Sequence, residues 1–181
     1  MTTRTNPWAR WRVRLGYPAA IAFALLAQPT PRSLIIGSSV ALLGLLIRGA
    51  AAGHLRKHQE LATSGPYRYT RNPLYFGSAL LAAGMLVAGA SWYAAAIVSL
   101  YFIAFYPQVM RKEAEELRAL YGAQYEAYAA RVPIFFPAPR PRADAPQRFS
   151  WQQYAANREY QAATGFLIGI ALLYAKMKWM P

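Results

Sequence analysis

The chain has 181 residues and a formal net charge of +13, with 20 lysines and arginines against 7 aspartates and glutamates. It is also 56% hydrophobic and contains no cysteine, which excludes disulfide frameworks, thiolate zinc sites and thiol nucleophiles. So large a positive charge is typical of nucleic-acid-binding proteins, but the apolar fraction argues against that class and favours one compact membrane bundle.

The N-terminal part predicts a membrane hairpin. Residues 1–14 are basic and contain two tryptophans, so we expect them to lie on the membrane surface. Uncharged stretches predict the first span over 15–31 and the second over 33–48. Both are short against the ~20 residues that cross a bilayer, but the apolar stems of flanking arginines extend them. We expect Pro29-Thr-Pro31 to form the turn, and no small-x-small cleavage pattern follows the first run, which argues against a signal peptide.

The central part predicts a second hairpin. No charged residue occurs from Asn72 to Met110, a stretch too long for one span. Because Gly89-Ala90-Ser91 interrupts it, the third and fourth spans are predicted over 73–88 and 92–110.

The C-terminal part predicts two further helices and a last span. Apolar and aromatic residues at helical spacing predict an amphipathic cytosolic helix over 111–130, ended by prolines in 131–137. An interfacial helix is predicted over 151–161 and a fifth span over 160–175. We therefore divide the chain into a membrane core, a Pro/Arg-rich linker, and a segment with the interfacial helix and fifth span: 1–137, 138–150 and 151–181.

The basic residues predict one orientation. With five alternating spans, 17 of the 20 lysines and arginines fall on one side, and only Arg32, Lys176 and Lys178 fall on the other. Cytoplasmic loops carry the excess of lysine and arginine. The sequence thus predicts an all-α integral membrane bundle with five transmembrane helices, a cytosolic N-terminus and an outer C-terminus.

Two polar segments at the cytosolic side are candidates for chemistry. The first polar segment, residues 63–77, reads TSGPYRYTRNPLYFG, and its Gly-Pro and Asn-Pro pairs predict turns. Pro73 suits the first turn of a helix, whose N-terminus would present free N–H groups to an anion. The second polar segment, residues 111–116, reads RKEAEE. Since the segments occupy the two ends of one hairpin, we expect them to be neighbours.

Structural explanations compete with a site. Tyrosines and arginines at a membrane boundary are common interfacial anchors, and the glutamates of the second polar segment could simply solvate a helix. His54 and His58 have the spacing of metal ligands on a helix, but only Glu60 is near as a third ligand, which disfavours a metal site. No strand precedes a glycine-rich turn, so a Rossmann-type cofactor site is excluded.

The order of residues resembles a known family. GPYRYTRNPLYFG resembles the Gly-Pro-Tyr…Arg-His/Asn-Pro-x-Tyr…Gly motif of isoprenylcysteine carboxyl methyltransferases and of related, phospholipid methyltransferase-like integral membrane methyltransferases. Downstream, Glu113 and then Tyr121-Gly122, Tyr125, Tyr128 and the Arg131–Pro137 stretch resemble that family's Glu-Glu…Phe-Gly-x-x-Tyr-x-x-Tyr…Arg-Val-Pro…Pro tail. The resemblance covers about residues 42–137.

The resemblance implies methyl transfer from S-adenosylmethionine (SAM) to a lipophilic, membrane-embedded acceptor, with S-adenosylhomocysteine as the product. Glu113 and Arg111 are the predicted catalytic residues. In this interpretation Glu113 binds the cofactor's amino group and Arg71 binds its carboxylate. The predicted cofactor-binding residues are Gly65, Pro66, Tyr67, Arg71, Asn72, Pro73, Tyr75, Glu113, Glu116, Arg131 and Pro133.

Two departures from the family pattern leave the acceptor open. Ala114 stands at the family's second glutamate, and Glu116, one turn from Glu113, is a candidate replacement. Val109 stands where prenylcysteine enzymes have an arginine, so Arg111 or Lys112 would act in its place. A prenylcysteine carboxylate, a thiol, an amine and a phospholipid headgroup all stay candidates. An NADPH-dependent membrane reductase and a non-enzymatic lipid-binding scaffold are the alternative functions, and no nucleic-acid partner is expected.

Overall fold

A computed structural model describes residues 7–57, 59–142 and 148–179, and the regular elements within these ranges are all helical. The all-α prediction is therefore confirmed for the described residues. Seven α-helices and one short 3-10 turn at Gly65–Arg68 occur there: α1 Pro7–Leu26, α2 Pro31–His54, α3 Pro73–Gly89, α4 Trp92–Tyr121, α5 Ala123–Ala129, α6 Trp151–Ala156 and α7 Tyr160–Trp179.

Local sequence signals set the turns of the two hairpins. Thr30 caps α2 through a reciprocal pair of hydrogen bonds with Ser33, and Pro31 occupies the first turn. Ser91 caps α4 by accepting a hydrogen bond from the Ala94 amide, and Ala90 adopts the left-handed conformation that ends α3. Both predicted breaks between spans are thus confirmed as helix boundaries.

The α2 and α3 backbones lie in direct contact through four glycines. A Cβ built on Gly37 would lie 2.5 Å from the Gly84 carbonyl oxygen, and one on Gly84 would lie 2.6 Å from the Gly37 oxygen. Gly44 and Gly77 repeat this relation at 2.6 and 2.7 Å. Because lipid is as apolar as leucine, close packing at small residues is a main source of helix association in membranes. The reciprocal pairs set α2 and α3 antiparallel in one register.

The other long helices pack around this pair. α1 lies against α4, where Tyr101 faces Gly16, and the Gln28 amide after α1 donates to the Gly89 carbonyl at the end of α3. α7 runs antiparallel to α2, and near its end Lys176 donates to the carbonyls of Ala24 and Leu25. A lysine at the C-terminal end of α1 satisfies free carbonyls and complements the helix dipole.

Two of the described helices are long and apolar enough to cross a membrane. By length and hydropathy, α2 and α4 are the candidate spans among the described residues, and Arg14–Leu26 and Pro73–Gly89 are shorter apolar stretches. The exposed side chains of Trp92, Tyr93 and Trp179 lie at one end of the bundle, as interfacial aromatic residues do. Five spans and their orientation remain predictions.

Several predicted boundaries were wrong. The first helix already begins at Pro7, within the stretch expected to lie on the surface, and α2 continues beyond residue 48 to His54. The fourth span and the cytosolic helix over 111–130 are not separate as predicted. α4 runs without a break to Tyr121, and neither Pro107 nor the charged residues after Met110 end it. Gly122, with a φ of 50°, separates α4 from α5.

The C-terminal helices also differ from the prediction. The interfacial helix ends at Ala156, and Arg158, with a φ of 54°, turns the chain into α7. Part of the predicted linker, residues 143–147, lies outside the described residues.

Single-cysteine labelling tests the predicted orientation, since the chain has no native cysteine. In intact cells, a membrane-impermeant maleimide should label Tyr93→Cys, at the predicted outer end of α4. Glu115→Cys, on the same helix beyond the membrane, should be labelled only after permeabilisation. Equal labelling of both variants in intact cells would show that α4 does not cross the membrane.

Gly84→Ala should destabilise the protein, because its new Cβ overlaps the backbone of α2. Overpacking of this kind costs about 1–3 kcal/mol, and we expect a lower midpoint of thermal unfolding in detergent. Gly165→Ala is the matched control, since a Cβ there meets no atom within 4 Å among the described residues. Equal unfolding midpoints for the two variants would contradict the proposed backbone contact.

Candidate functional site

The loop between α2 and α3, residues 63–72, is built around Gly65 and will be called the motif loop. Gly65 has a φ of +53°, and a Cβ there would lie 2.6 Å from the imidazole ring of His54. Only glycine fits this position, for backbone and steric reasons alike. The His54 ring also contacts the Ala50 carbonyl through Nδ1 at 2.8 Å, so its observed role is structural.

No metal centre is present among the described residues, which contain no group of three or more His, Cys, Asp or Glu side chains placed to hold an ion. His58, the second histidine of the sequence pattern, lies outside them.

Residues 131–142, which will be called the closing segment, run along the motif loop. Three backbone hydrogen bonds of 2.7–2.8 Å join the two segments. The Arg71 amide donates to the Pro133 carbonyl, the Ala138 amide to the Tyr69 carbonyl, and the Arg142 amide to the Arg68 carbonyl. The side chains of Thr70 and Asn72 add hydrogen bonds of 2.8 Å to the carbonyls of Phe135 and Ile134. The structure therefore brings Pro133, a predicted cofactor-binding residue, onto the motif loop.

Two buried tyrosines of α5 form hydrogen bonds with the motif loop. Tyr128 donates a hydrogen bond of 2.8 Å to the Tyr67 carbonyl, and the Arg71 guanidinium donates one of 3.1 Å to the Tyr125 hydroxyl. Burial raises the pKa of the Tyr67 and Tyr128 hydroxyls above their ordinary values, so both stay protonated at physiological pH. Leu61 and Val132 complete this buried cluster.

The two polar segments meet at Tyr75 and Glu113. The Tyr75 hydroxyl donates a 2.5 Å hydrogen bond to Oε1 of Glu113, which confirms that the segments are neighbours. The Tyr75 ring packs edge-on against Tyr106, with ring centres 5.5 Å apart. Oε1 of Glu113 is thereby tied to a side chain from the first turn of α3.

Other predicted site residues lie in different surroundings. Arg111, Glu116 and Arg131 are exposed, and Arg131 donates back to the Ala127 carbonyl at 3.2 Å. Ala114 packs against the buried tyrosine cluster, whereas Val109 is buried one turn before Glu113. The assignment of Arg111, Glu116 and Arg131 to the site stays a prediction.

The start of α3 offers groups that suit an anion. Asn72 precedes the helix, but its side chain bonds to Ile134 and does not cap the first turn. Nε of Arg71 is buried and has no hydrogen-bond partner among the described residues. Free N–H groups, the positive end of the helix dipole and an unpaired guanidinium nitrogen together match a carboxylate.

An apolar groove lies between α3 and α4, next to this site. Its volume is about 260 Å³, and it is lined by Ala79, Ala82, Ala83, Leu86, Val98, Ser99, Phe102 and Ile103. Phe102 stacks on Tyr106 with ring centres 4.1 Å apart, and Tyr106 contacts Tyr75. A continuous row of aromatic rings thus leads from the groove to Glu113.

The sequence interpretation missed a partly buried ion pair. Arg48 donates from Nε and from a terminal guanidinium nitrogen to the two carboxylate oxygens of Glu159, at 2.6 and 2.9 Å. Arg48 lies at the end of the predicted second span, and Glu159 lies within the interfacial helix predicted over 151–161. A single acidic residue at the start of an apolar helix was the available signal, because buried charges in membranes are paired.

Comparisons with known proteins agree with this arrangement. The sequence model of the family described as phospholipid methyltransferase matches residues 33–124. The chain is 39% identical over 140 residues to the nickel-cobalt-cadmium resistance protein NccN of Alcaligenes xylosoxydans xylosoxydans, covering 70% of this chain and 65% of that protein. It is 35% identical over 108 residues to the cobalt-zinc-cadmium resistance protein CzcN of Cupriavidus metallidurans, covering 57% and 47%.

A plant enzyme is a more distant relative. Identity to protein-S-isoprenylcysteine O-methyltransferase B of Arabidopsis thaliana is 28% over 109 residues, covering 58% of this chain and 55% of that protein. The chain thus spans about half to two thirds of the length of these relatives. No solved structure gives a significant match.

Tyr128→Phe should loosen the motif loop, because it leaves the buried Tyr67 carbonyl without its donor. An unsatisfied buried group costs about 1–3 kcal/mol, so we expect a lower unfolding midpoint and faster proteolysis within the closing segment. Tyr93→Phe, which removes an exposed hydroxyl, is the control. Identical proteolysis rates for the two variants would show that the Tyr128 hydrogen bond does not hold the loop.

Proposed function

The chain belongs to the phospholipid methyltransferase family, and we propose that it transfers a methyl group from SAM to a lipophilic acceptor at the cytosolic membrane face. Family membership supports membrane methyltransferase activity without specifying the acceptor. The proposal of SAM rests on one observation above all: Tyr75, in the first turn of α3, donates to Glu113, and this turn follows Arg71, whose Nε has no partner among the described residues.

The two charges suit the two ends of an amino-acid moiety. We assign the cofactor's carboxylate to Arg71 and the first N–H groups of α3, where the unpaired guanidinium nitrogen would gain a charge-assisted hydrogen bond. We assign its ammonium group to Glu113, whose carboxylate is oriented by the Tyr75 hydroxyl. The residues present therefore fit SAM.

Bound SAM would supply an activated methyl group on its sulfonium. Transfer of that group is an in-line displacement, which demands alignment rather than a protein nucleophile. The protein's own contribution is then positional: the motif loop and closing segment fix the donor, and neighbouring tyrosine rings offer π faces to a cationic sulfur. Arg111, which is exposed and precedes Glu113 by two residues on α4, is the proposed contact for a polar group of the acceptor.

The acceptor is proposed to carry an apolar chain. The α3–α4 groove is lined by small and apolar side chains and connects through Phe102 and Tyr106 to Tyr75. A chain in this groove would bring its head group to the cytosolic end of the hairpin. Because Val109 is buried and apolar, recognition of an acceptor carboxylate would fall to Arg111 or Lys112, and thiol, amine and phospholipid acceptors stay in the proposal.

Two relatives are named for resistance to divalent metal ions. Since the described residues show no cluster of metal-binding side chains, we carry over no metal-binding role from these names.

Glu113→Gln should lower methyl transfer and weaken binding of S-adenosylhomocysteine at least tenfold, about 1.4 kcal/mol, because a charge-assisted hydrogen bond to the ammonium group is lost. Purified protein is incubated with methyl-labelled SAM and either a lipid extract or a prenylcysteine analogue, and binding is measured by calorimetry. Glu115→Gln, two residues away on α4 and paired with Lys112 at the surface, is the matched control.

Three results would count against the proposal. Absence of labelled product with both acceptors would oppose methyl transfer, and binding of NADPH without S-adenosylhomocysteine would favour a reductase. Equal affinities of the Glu113→Gln and Glu115→Gln variants would remove Glu113 from the cofactor site.

A further inference from the structure

We propose that the Arg48–Glu159 ion pair positions the first turn of α3, and with it Tyr75, so that the C-terminal α6–α7 segment is part of the active unit. This inference rests on the function proposed above, in which Tyr75 orients Glu113. Both residues are placed at the end of the bundle that holds the motif loop.

The guanidinium of Arg48 binds two elements at once. Two of its nitrogens are occupied by the Glu159 carboxylate of α7. The third, at the remaining terminal position, donates to the hydroxyl of Ser78 and to the Leu74 carbonyl of α3 at 3.4 Å. Arg48 itself belongs to α2, so a single planar group joins three helices.

Local packing holds the arginine in this place. Its stem lies over Gly77, where a Cβ would come within 2.7 Å of the Arg48 Cγ atom. The Ser78 hydroxyl also donates to the Leu74 carbonyl at 2.8 Å. The first turn of α3 is therefore tied to Arg48 through both a side chain and a backbone oxygen.

A second contact fixes the same junction. The Asn157 side chain donates to the carbonyls of Ala52 and Leu55, at 3.0 and 2.8 Å, and so satisfies the end of α2. The left-handed Arg158 then turns Glu159 toward Arg48. Asn157 and Glu159 of the α6–α7 junction thus contact the end of α2 and, through Arg48, the start of α3.

The desolvation cost of this ion pair indicates that the pair does more than attach α7. Glu159 is only 5% exposed, and burying two charges costs desolvation energy that apolar contacts avoid. α7 already has such contacts, since Leu173 and Ile170 pack with Ala27 and Ala88. What a bidentate pair adds is a defined register and orientation.

The link to the site is short. Leu74 precedes Tyr75 directly, and Ser78 follows one turn later, on the side of α3 that faces Arg48. Tyr75 extends toward α4, where its hydroxyl lies 2.5 Å from Glu113. A small rotation of this turn would move that hydroxyl, and displacements near 1 Å can cost about a hundredfold in rate. Glu159 lies outside residues 33–124, which match the family model, whereas Arg48 and Ser78 lie inside them.

The decisive experiment separates positioning from attachment. In Glu159→Gln, affinity for S-adenosylhomocysteine should fall about five- to tenfold, because an uncompensated Arg48 no longer holds the α3 turn. The charge exchange Arg48→Glu with Glu159→Arg keeps an ion pair between α2 and α7 but removes the guanidinium from its place on α2. We expect it to restore the unfolding midpoint without restoring the affinity. Full recovery of both would assign the pair to attachment alone and overturn the inference.

Ser78→Ala keeps the inference testable if the charge variants fail to fold. It removes one contact of Arg48 with α3 and leaves the ion pair intact, so we expect an affinity loss of about threefold with only a small fall of the unfolding midpoint. Glu126→Gln, which breaks an exposed ion pair with Arg118, is the matched control. Affinities of Ser78→Ala and Glu126→Gln that both equal the wild-type value would contradict positioning.

Hydrogen exchange distinguishes this inference from the proposed function. In protein without added cofactor, amides of residues 74–78 should exchange faster in Glu159→Gln and Ser78→Ala than in wild type. If the wild-type protein binds no S-adenosylhomocysteine, the proposed function fails, while faster exchange still supports the positioning of α3 by Arg48. Unchanged exchange in both variants would refute the positioning itself.

Discussion

The structure depends on the backbone contact between α2 and α3. Gly37 faces Gly84 and Gly44 faces Gly77 so closely that neither helix tolerates a side chain there. This contact sets the register of the two helices, and register decides which residues meet at their ends. It puts Arg48 opposite Leu74 and Ser78, and it brings the end of α2 under the motif loop, where His54 packs below Gly65.

The site is assembled on that frame from pieces that cannot form it alone. The motif loop has little regular structure, so its backbone groups need partners from elsewhere. The closing segment supplies them along one edge, and the Tyr128 hydroxyl supplies one from below. The same arrangement leaves the first turn of α3 without a side-chain cap and Arg71 with an unpaired nitrogen. The hydrogen bonds of the motif loop therefore lie next to a small region in which polar groups remain without partners among the described residues.

Sequence reasoning succeeded where the signal was local. Uncharged runs and the Pro29–Pro31 and Gly89–Ser91 breaks located the hairpins, and hairpin geometry alone placed Tyr75 near Glu113. It failed for the length of α4 and for the contact between Arg48 and Glu159. The predicted membrane boundary after Met110 would change the solvent without interrupting a helix, and α4 continues to Tyr121. The Arg48–Glu159 pair joins residues 111 positions apart, and no periodicity or motif reports such a contact.

The arginines show why net charge describes this protein poorly. Most basic residues of the loops are exposed, and the effect we expect of them is the collective one of attracting anionic lipid and setting orientation. Arg48 and Arg71 differ because each lies among backbone carbonyls and tyrosine or serine hydroxyls, largely removed from water. In such surroundings a guanidinium must find acceptors for each of its donors. Arg48 has all its nitrogens engaged by α3 and α7, which makes it a structural centre. Arg71 has one nitrogen without a hydrogen-bond partner in the described part of the chain, next to the N-terminus of α3. This difference is the physical reason for assigning ligand binding to Arg71 and a structural role to Arg48.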